Sequence, residues 1–247
     1  MHTYFYILGG DIVSQRKRGI SIITCTNRPS FIGNVLSNYK RQRYPIKELI
    51  IVLNKSGMKL SKYRKKTKDH KHVSVYKRPE KVSLGECLNY AIKRTKHPYI
   101  AKFDDDDYYS KYYLTEQIKA MRRTKAHVVG KRAYLAFIKR KNLLILHSAK
   151  KQHKYVKWVT GGTIFFKRRV FNKVRFPNVS LNEDVIFAKR CRINHFKVYS
   201  SSPYNYVMIR RKNKKGHTWK ASDDHLLSRS KIVAKTRDFR KRVTRAK

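Results

Sequence analysis

Four consecutive carboxylates, Asp104 to Asp107, are the residues of this chain best suited to chemistry. They follow a short apolar segment, residues 99–103, in a protein with 61 Lys and Arg against 15 Asp and Glu. Side chains alternate between the two sides of an extended strand end, which predicts that Asp104 and Asp106 share one face. Clustered hard oxygen ligands suit Mg²⁺ or Mn²⁺, which usually bring phosphates with them. The alternative is a solvated acidic turn, or the N-cap region of the following helix.

Strands and helices alternate through the first half of the chain and would position these acids. Apolar, β-branched runs predict four strands, at residues 19–25, 47–53, 72–76 and 99–103. Between them we predict helices at residues 31–43 and 83–95 and a basic, helix-like stretch before the third strand, with Ser83 and Glu86 forming a capping box. This order predicts an α/β fold with a right-handed, mostly parallel sheet flanked by helices and ligand chemistry at the carboxyl ends of its strands.

The second half of the chain predicts a mixed arrangement of shorter strands and one helix. The helix is expected to open at Asn182 and to run through Cys191. The strands are expected at residues 126–130, 134–139, 143–146, 155–160, 163–166, 197–199 and 204–209.

Composition excludes several classes of protein. The 40% hydrophobic and 12% aromatic content indicates a folded globule rather than a disordered basic protein. No apolar run approaches the roughly 20 residues that a membrane-spanning helix needs. The three cysteines are isolated in the sequence, which favours buried thiols in a reducing compartment and therefore a cytoplasmic protein.

The net charge of +46 favours encounter with anionic partners such as nucleic acid, anionic lipid or acidic polymers. Lys and Arg are spread along the whole chain and are densest at residues 209–215 and 237–247. Charge of this kind describes partners and says little about the fold.

Four segments resemble, in order and spacing, the inverting family 2 glycosyltransferases of GT-A fold and bacterial type. They are residues 21–29, 83–89, 99–107 and 182–184. The resemblance implies a nucleotide-sugar donor such as a UDP-sugar, a divalent Mn²⁺ or Mg²⁺, and transfer to a hydroxyl with inversion at the anomeric carbon. On it we divide the single domain into an N-terminal extension (1–18), a nucleotide-sugar-binding half (19–125), an acceptor-binding half (126–219) and a basic C-terminal helical segment (220–247).

The resemblance assigns the metal and the donor mainly to the first half. Asp106 matches the family's metal-ligand position, and Asp104 and Asp105 match positions that contact the ribose and help to hold the metal. Asp107 either belongs to this set or caps the next helix. Further nucleotide-sugar contacts are expected at Thr26, Asn27, Arg28, Pro29, Asn54, Arg78, Ser83, Gly161 and Gly162.

The resemblance assigns the acceptor chemistry to the second half. Asp184 matches the general base, which takes the proton of the acceptor hydroxyl. A structural role also fits Asp184, because a helix dipole favours an acid near the helix start. Glu183 either contacts the acceptor or is structural, and His217 is either a metal ligand from a loop or a surface histidine. A plain turn is the alternative for Gly161 and Gly162.

Two positions depart from the family pattern. Asn54 stands where relatives commonly have an acid that holds uracil, so recognition of uridine is less specific here. Ser83 stands where some relatives have a basic phosphate contact, for which Lys81 or Arg78 can compensate.

The sequence therefore predicts a cytoplasmic glycosyltransferase acting on a cell-envelope or other surface glycan. We expect a hydroxyl acceptor of acidic character, peripheral contact with the anionic inner face of a membrane, and no nucleic acid as partner. The competing classes are a nucleic-acid-binding protein with interleaved aromatics such as Tyr4 and Tyr6, a metal-dependent phosphoryl-transfer enzyme, and a catalytically idle scaffold.

Overall fold

A sheet of eight strands forms the centre of the fold in the computed structural model, which describes residues 19–211 and 222–246. Its spatial order is β3-β2-β1-β4-β10-β6-β11-β9. The strands are β1 Ile20–Thr26, β2 Lys47–Leu53, β3 Val73–Lys77, β4 Tyr99–Lys102, β6 Val128–Gly130, β9 Lys154–Tyr155, β10 Phe165–Lys167 and β11 Val198–Ser200. The predicted α/β fold with a mostly parallel sheet is confirmed.

Helices cover both faces of this sheet. In chain order they are α1 Ile32–Arg41, α2 Leu60–Thr67, α3 Leu84–Ile92, α4 Tyr113–Thr124 and α5 Glu183–Ile193, whereas α6 Asp223–Leu227 and α7 Arg240–Val243 pack against strands of a second sheet. Short 3-10 helices lie at Pro29–Phe31, Ala149–Lys151, Gly161–Thr163 and Arg168–Asn172. The helices predicted at residues 31–43 and 83–95 are confirmed with slightly shorter bounds.

The alternation of side chains along the central strands explains the two covered faces. Ile22 packs in the core cluster that includes α1, α2 and α4, whereas its neighbour Ile23 packs in the cluster that includes α3 and α5. Both residues are fully buried. β2 is buried along almost its whole length, as its near-continuous apolar sequence predicted.

A second, mixed sheet of five strands packs beside the first, in the order β13-β8-β7-β12-β5. Its strands are β5 Tyr108–Tyr109, β7 Tyr134–Ile138, β8 Leu143–His147, β12 Tyr206–Arg210 and β13 Ser230–Lys235. The predicted hairpin at residues 134–146 is confirmed by the antiparallel pairing of β7 with β8.

Two sequence predictions about elements are wrong. The C-terminal segment 220–247, expected to be helical, contains the strand β13 between the short helices α6 and α7. Antiparallel pairing with β8 supplies the backbone partners of this strand, although most of its side chains are exposed. The strand expected at residues 155–160 is limited to Lys154–Tyr155, because the chain then turns toward the 3-10 helix at Gly161–Thr163.

The strand directions decide where polar side chains collect. β1 runs parallel to both β2 and β4, and β10 runs antiparallel to both β4 and β6. The strands β2, β1, β4 and β6 therefore point the same way and end at one edge of the sheet. Parallel α/β sheets bind their ligands at this carboxyl edge.

In the described residues, no helix is both long enough and apolar enough to cross a bilayer. The three cysteines are free thiols; Cys87 and Cys191 are buried and Cys25 is half-buried. The extension at residues 1–18 lies outside the described residues.

Candidate active site

The four acids lie in the turn that joins β4 to β5 at the carboxyl edge of the sheet. A turn does not alternate its side chains as a strand does, so the predicted pairing of Asp104 with Asp106 on one face is wrong. Instead Asp105 and Asp106 both form ion pairs with the guanidinium of Arg28. Asp104 and Asp107 both approach Gly162, where an added Cβ would lie 2.8 Å and 3.1 Å from their Oδ2 atoms.

The loop after β1 is joined to the acids through Asp105. The hydroxyl of Thr26 donates to Asp105 Oδ2 at 2.5 Å, and Arg28 Nε donates to the same oxygen at 3.1 Å. Burial raises the pKa of Asp105, and the hydrogen bonds and charge of Arg28 oppose that shift. Burial alone would lower the pKa of Arg28, but Asp105 and Asp106 outweigh it and raise that pKa. Thr26 and Arg28 thus lie with the acids, while Asn27 is exposed and Pro29 opens a 3-10 helix.

Asp106 lies between two arginines. Its Oδ2 accepts from Arg28 at 2.9 Å and from Arg211 at 3.2 Å. The two guanidinium groups each lie 4.7 Å from the ring centroid of Phe31. The role of Arg211 had no signal in the sequence, because it stands in a run of basic residues.

A divalent cation fits this part of the site only if phosphate oxygens and water supply most of its ligands. Among the described residues there is no group of three or more His, Cys, Asp or Glu side chains arranged to hold a metal ion. Mg²⁺ and Mn²⁺ commonly take one or two protein carboxylates and complete their shells with phosphate oxygens and water. Asp106 offers hard oxygen atoms and suits that partial set, although its Oδ2 is paired with Arg28 and Arg211. The other predicted ligand, His217, lies outside the described residues.

Asp107 has a structural role in the described residues. It is buried, accepts from the hydroxyl of Tyr206 at 2.6 Å and from the backbone N–H of Ile209 at 3.1 Å, and so joins the acid turn to β12. Burial, then the charges of Asp106 and Asp104, raise its pKa well above the usual range. The alternative that Asp107 caps a helix is wrong, because the strand β5 follows it.

A buried lysine on β4, Lys102, connects the acid turn with helix α5. It is 3% exposed, and its Nζ lies 2.5 Å from Asp104 Oδ1 and 3.9 Å from Glu183 Oε1. Burial alone would lower its pKa, but Asp104 and Glu183 outweigh burial and keep the amine charged. Sequence reasoning missed this residue. A single lysine inside an otherwise apolar strand, two positions before an acid, was the available signal.

Glu183 and Asp184 are the first residues of helix α5, and their side chains differ in solvent exposure. Asn182 before them adopts a left-handed φ of 63°, which turns the chain into the helix. Glu183 is buried against Lys102, whereas Asp184 is half-buried beside Gly161, where an added Cβ would lie 2.9 Å from its Oδ2. Burial raises the pKa of Glu183 to about 7, with Lys102 opposing the shift. Burial also raises the pKa of Asp184, against the same lysine.

The remaining predicted donor contacts lie at the ends of β2 and β3 and at the start of α3. The backbone N–H of Asn54 donates to Thr26 O at 2.8 Å, so Asn54 adjoins the loop after β1. The Arg78 guanidinium lies 4.8 Å from the ring centroid of Tyr90. Ser83 accepts from the backbone N–H of Glu86 at 3.2 Å, which confirms the predicted N-cap. Its hydroxyl donates to Asn178 at 2.7 Å, so Ser83 also joins the start of α3 to the segment that precedes α5.

Solved structures show which architecture this sheet belongs to. S. aureus TarS 1–349 in complex with UDP-GlcNAc is similar with a TM-score of 0.64 and 19% identity, over 85% of this chain and 64% of that one. The mannosyltransferase PcManGT from Pyrobaculum calidifontis, in complex with GDP-Man and Mn²⁺, is similar with a TM-score of 0.65 and 17% identity, over 81% and 59%. The fold is that of the GT-A glycosyltransferases.

The sequence assigns the family. Residues 21–177 match the family Glycosyl transferase family 2, and the chain belongs to that family. The matched residues include the acid turn and Gly161–Gly162 and end before Glu183. Among curated proteins no sequence matches significantly. The chain spans less than two thirds of the length of each of these two solved structures.

Proposed function

We propose that this chain transfers a sugar from a nucleotide-diphosphate sugar to a hydroxyl acceptor, with inversion and with a divalent metal. One observation carries the proposal: the acid turn, through Asp104 and Asp107, approaches Gly162, and the helix start, through Asp184, approaches the adjacent Gly161. A donor bound by the first and an acceptor approaching the second would have their reacting atoms between them. Membership of the glycosyltransferase family, and neighbours crystallised with UDP-GlcNAc or with GDP-Man and Mn²⁺, support the same chemistry.

The donor nucleotide is assigned to the ends of β1, β2 and β3 and to the acid turn. The base packs on the loop after β1 and meets Asn54, and the ribose meets Asp104 and Asp105. We propose a UDP-sugar as the donor, although the amide of Asn54 recognises uracil less specifically than a carboxylate would. The donor contacts are proposed at Thr26, Asn27, Arg28, Pro29, Asn54, Arg78, Ser83, Gly161 and Gly162.

The metal is assigned to Asp106, with Asp104 and His217 as further ligands. When bound, Mn²⁺ or Mg²⁺ neutralises the charge that develops on the leaving diphosphate. The guanidinium groups of Arg28 and Arg211, which pair with Asp106, would also stabilise negative charge on the diphosphate.

The role of general base, which takes the proton of the acceptor hydroxyl, is assigned to Asp184. As the acceptor oxygen bonds to the anomeric carbon, the bond to the diphosphate breaks and the hydroxyl proton passes to the Asp184 carboxylate. Asp184 suits this role better than Glu183, because it is half-buried beside Gly161 while Glu183 faces the buried Lys102. Attack from the side opposite the leaving group gives inversion.

This function is tested by calorimetric titration with UDP-GlcNAc, UDP-glucose and GDP-mannose, in Mn²⁺ and in excess chelator. We expect one of them to bind at least about tenfold more tightly with Mn²⁺, since the acids otherwise repel the diphosphate. Glycosidic products formed with a hydroxyl acceptor are expected to carry the inverted anomeric configuration, read by NMR. Equal affinity in chelator for every donor would contradict metal dependence.

The acceptor is assigned to a cell-envelope or other surface glycan of acidic character, reached at the cytoplasmic, anionic face of a membrane. The excess of Lys and Arg supports this assignment. Binding to anionic vesicles is expected to fall steeply as ionic strength rises from about 0.1 M to about 1 M, because the screening length shortens from about 10 Å to about 3 Å. Co-sedimentation with anionic and zwitterionic vesicles measures it. Sedimentation that ignores both lipid charge and salt would remove the membrane assignment.

A further inference from the structure

Arg132 is fixed at the carboxyl end of β6, on the side of the acid turn away from the nucleotide contacts. Its backbone N–H donates to Ser200 Oγ at 2.9 Å. The preceding residue, Lys131, accepts from the backbone N–H of Thr160 at 2.8 Å. These two hydrogen bonds hold the segment between β11 and the chain that leads to Gly161.

The guanidinium of Arg132 lies over an aromatic ring and makes no hydrogen bond to any of the described residues. It lies 4.5 Å from the ring centroid of Trp158, and both side chains are half-buried. No carboxylate pairs with Arg132 within residues 19–211 and 222–246, and its guanidinium donates no hydrogen bond there. A stacked guanidinium keeps its N–H groups in the plane of the fork, where they suit a phosphate or a carboxylate.

The surroundings of Arg132 carry positive rather than negative charge. Burial lowers the pKa of Arg132; Tyr134 opposes this shift, and the nearby Arg229 adds to it. Burial also lowers the pKa of His147 to about 4, and the next contribution comes from Arg132. The surroundings thus raise the cost of the Arg132 charge, and an anionic ligand would relieve it. His147 stays neutral at pH 7, so Arg132 and Arg229 supply the fixed charge.

This stacked pair lies close to the proposed reaction centre. Trp158 precedes Gly161 by three residues, a span of at most about 11 Å. An added Cβ at Gly161 would lie 2.9 Å from Asp184 Oδ2. One strand, β10, separates β6 from β4, so the ends of these two strands lie two strand spacings, about 10 Å, apart. The nucleotide contacts lie in the opposite direction, on β1 and β2.

We propose that Arg132 and Trp158 form an acceptor subsite that binds an anionic group, a phosphate or a carboxylate, carried by the acceptor near its reactive hydroxyl. The inference rests on the proposed function, whose acceptor it describes. Trp158 offers an apolar face to the carbon atoms of a sugar or polyol, and Arg132 offers a planar pair of donors to the anion. An acceptor that lies across both would direct its hydroxyl toward Asp184.

Tryptophan fluorescence tests the subsite directly. The chain has two tryptophans, so Trp219→Phe leaves Trp158 as the reporter. We titrate this protein, loaded with UDP and Mn²⁺, with sn-glycerol 3-phosphate, methyl β-glucuronide and neutral methyl β-glucoside. One or both anions are expected to change the emission while the glucoside does not, and the two anions distinguish phosphate from carboxylate. Arg132→Gln is expected to weaken the binding by about tenfold or more, because it removes the charge and the planar fork of donors. Arg132→Lys is expected to weaken it by less, because lysine keeps a point charge but cannot replace the fork.

The matched control is Arg123→Gln, which removes one charge from the exposed last turn of α4. Equal weakening by Arg132→Gln and Arg123→Gln would overturn the proposal, because the anion would then sense only the net charge. Competition between the anion and UDP would also overturn it, since the site would belong to the donor. Calorimetry of nucleotide-sugar binding on the unsubstituted protein is a separate readout: its failure contradicts the proposed function, whereas the fluorescence decides the anion site. Thermal unfolding of each variant confirms that it is folded.

Discussion

Asp184→Asn is expected to lower sugar transfer by about 10²-fold or more while donor and metal binding stay nearly unchanged. The amide has the shape of the carboxylate but cannot take the proton of the acceptor hydroxyl, and a positioned proton acceptor is worth about 10²-fold to 10⁴-fold. In the proposed function Asp184 serves the acceptor; it lies next to Gly161, so the contacts around Asp105 and Arg28 are left in place. The measurement is kcat together with the Kd for the donor by calorimetry.

Two further variants make this result specific. Asp224→Asn is the matched control, because Asp224 also lies in the first turn of a helix, α6, but its side chain is 84% exposed. It tests whether an acid at a helix start matters by itself, and we expect no loss of transfer. Glu183→Gln is expected to cost less than Asp184→Asn, because Glu183 faces Lys102 rather than the open side of the site. The reverse order, with Asp184→Asn near normal, would make Glu183 the base.

The large apolar elements were predictable because their sequences carry their own signal. Residues 47–53 form β2 at the predicted bounds, since a run buried on both faces must be apolar throughout. Ser83 was recognisable as a cap because its partner, Glu86, lies three residues away. Local spacing is sufficient where the interacting residues are neighbours in the chain.

Contacts between distant residues were not predictable in the same way. β13 is a strand because β8 lies beside it, and its exposed side chains show no apolar alternation that would reveal it. The ion pair of Arg211 with Asp106 joins residues more than a hundred positions apart in a chain that is rich in arginine. The stack of Arg132 on Trp158 arises only once β6 and the segment before Gly161 lie side by side.

The acid turn shows how one wrong local assumption changes a whole assignment. Treating residues 104–107 as an extended strand end paired Asp104 with Asp106, whereas the turn sends Asp105 and Asp106 to Arg28 and turns Asp107 inward to Tyr206. The sequence predicted that the acids follow the strand β4, and the structure confirms that position. Their separate environments followed from the positions of β1, β12 and Lys102 around them.

Asp106→Asn is expected to abolish the effect of Mn²⁺ on donor binding and to lower kcat/KM by about 10²-fold or more. The amide keeps the size of the side chain but loses the charged oxygen that the metal requires, and metal stabilisation of a leaving group is worth several kcal/mol. Unlike Asp184→Asn, this change should weaken binding and transfer together in the presence of Mn²⁺. Calorimetry with UDP in Mn²⁺ and in chelator gives the ratio of affinities, which we expect to fall to about one.

The two arginines beside Asp106 make this prediction sharper. Arg28 and Arg211 are both paired with the Asp106 carboxylate, so the amide releases part of their charge to the diphosphate. UDP affinity in chelator should therefore stay the same or rise in Asp106→Asn, while the affinity in Mn²⁺ falls toward it. Glu80→Gln serves as the matched control, because it removes an acid from an exposed ion pair with Lys55. If Asp106→Asn kept a full response to Mn²⁺, the metal would have to be held by other residues, and the assignment of Asp106 would be wrong.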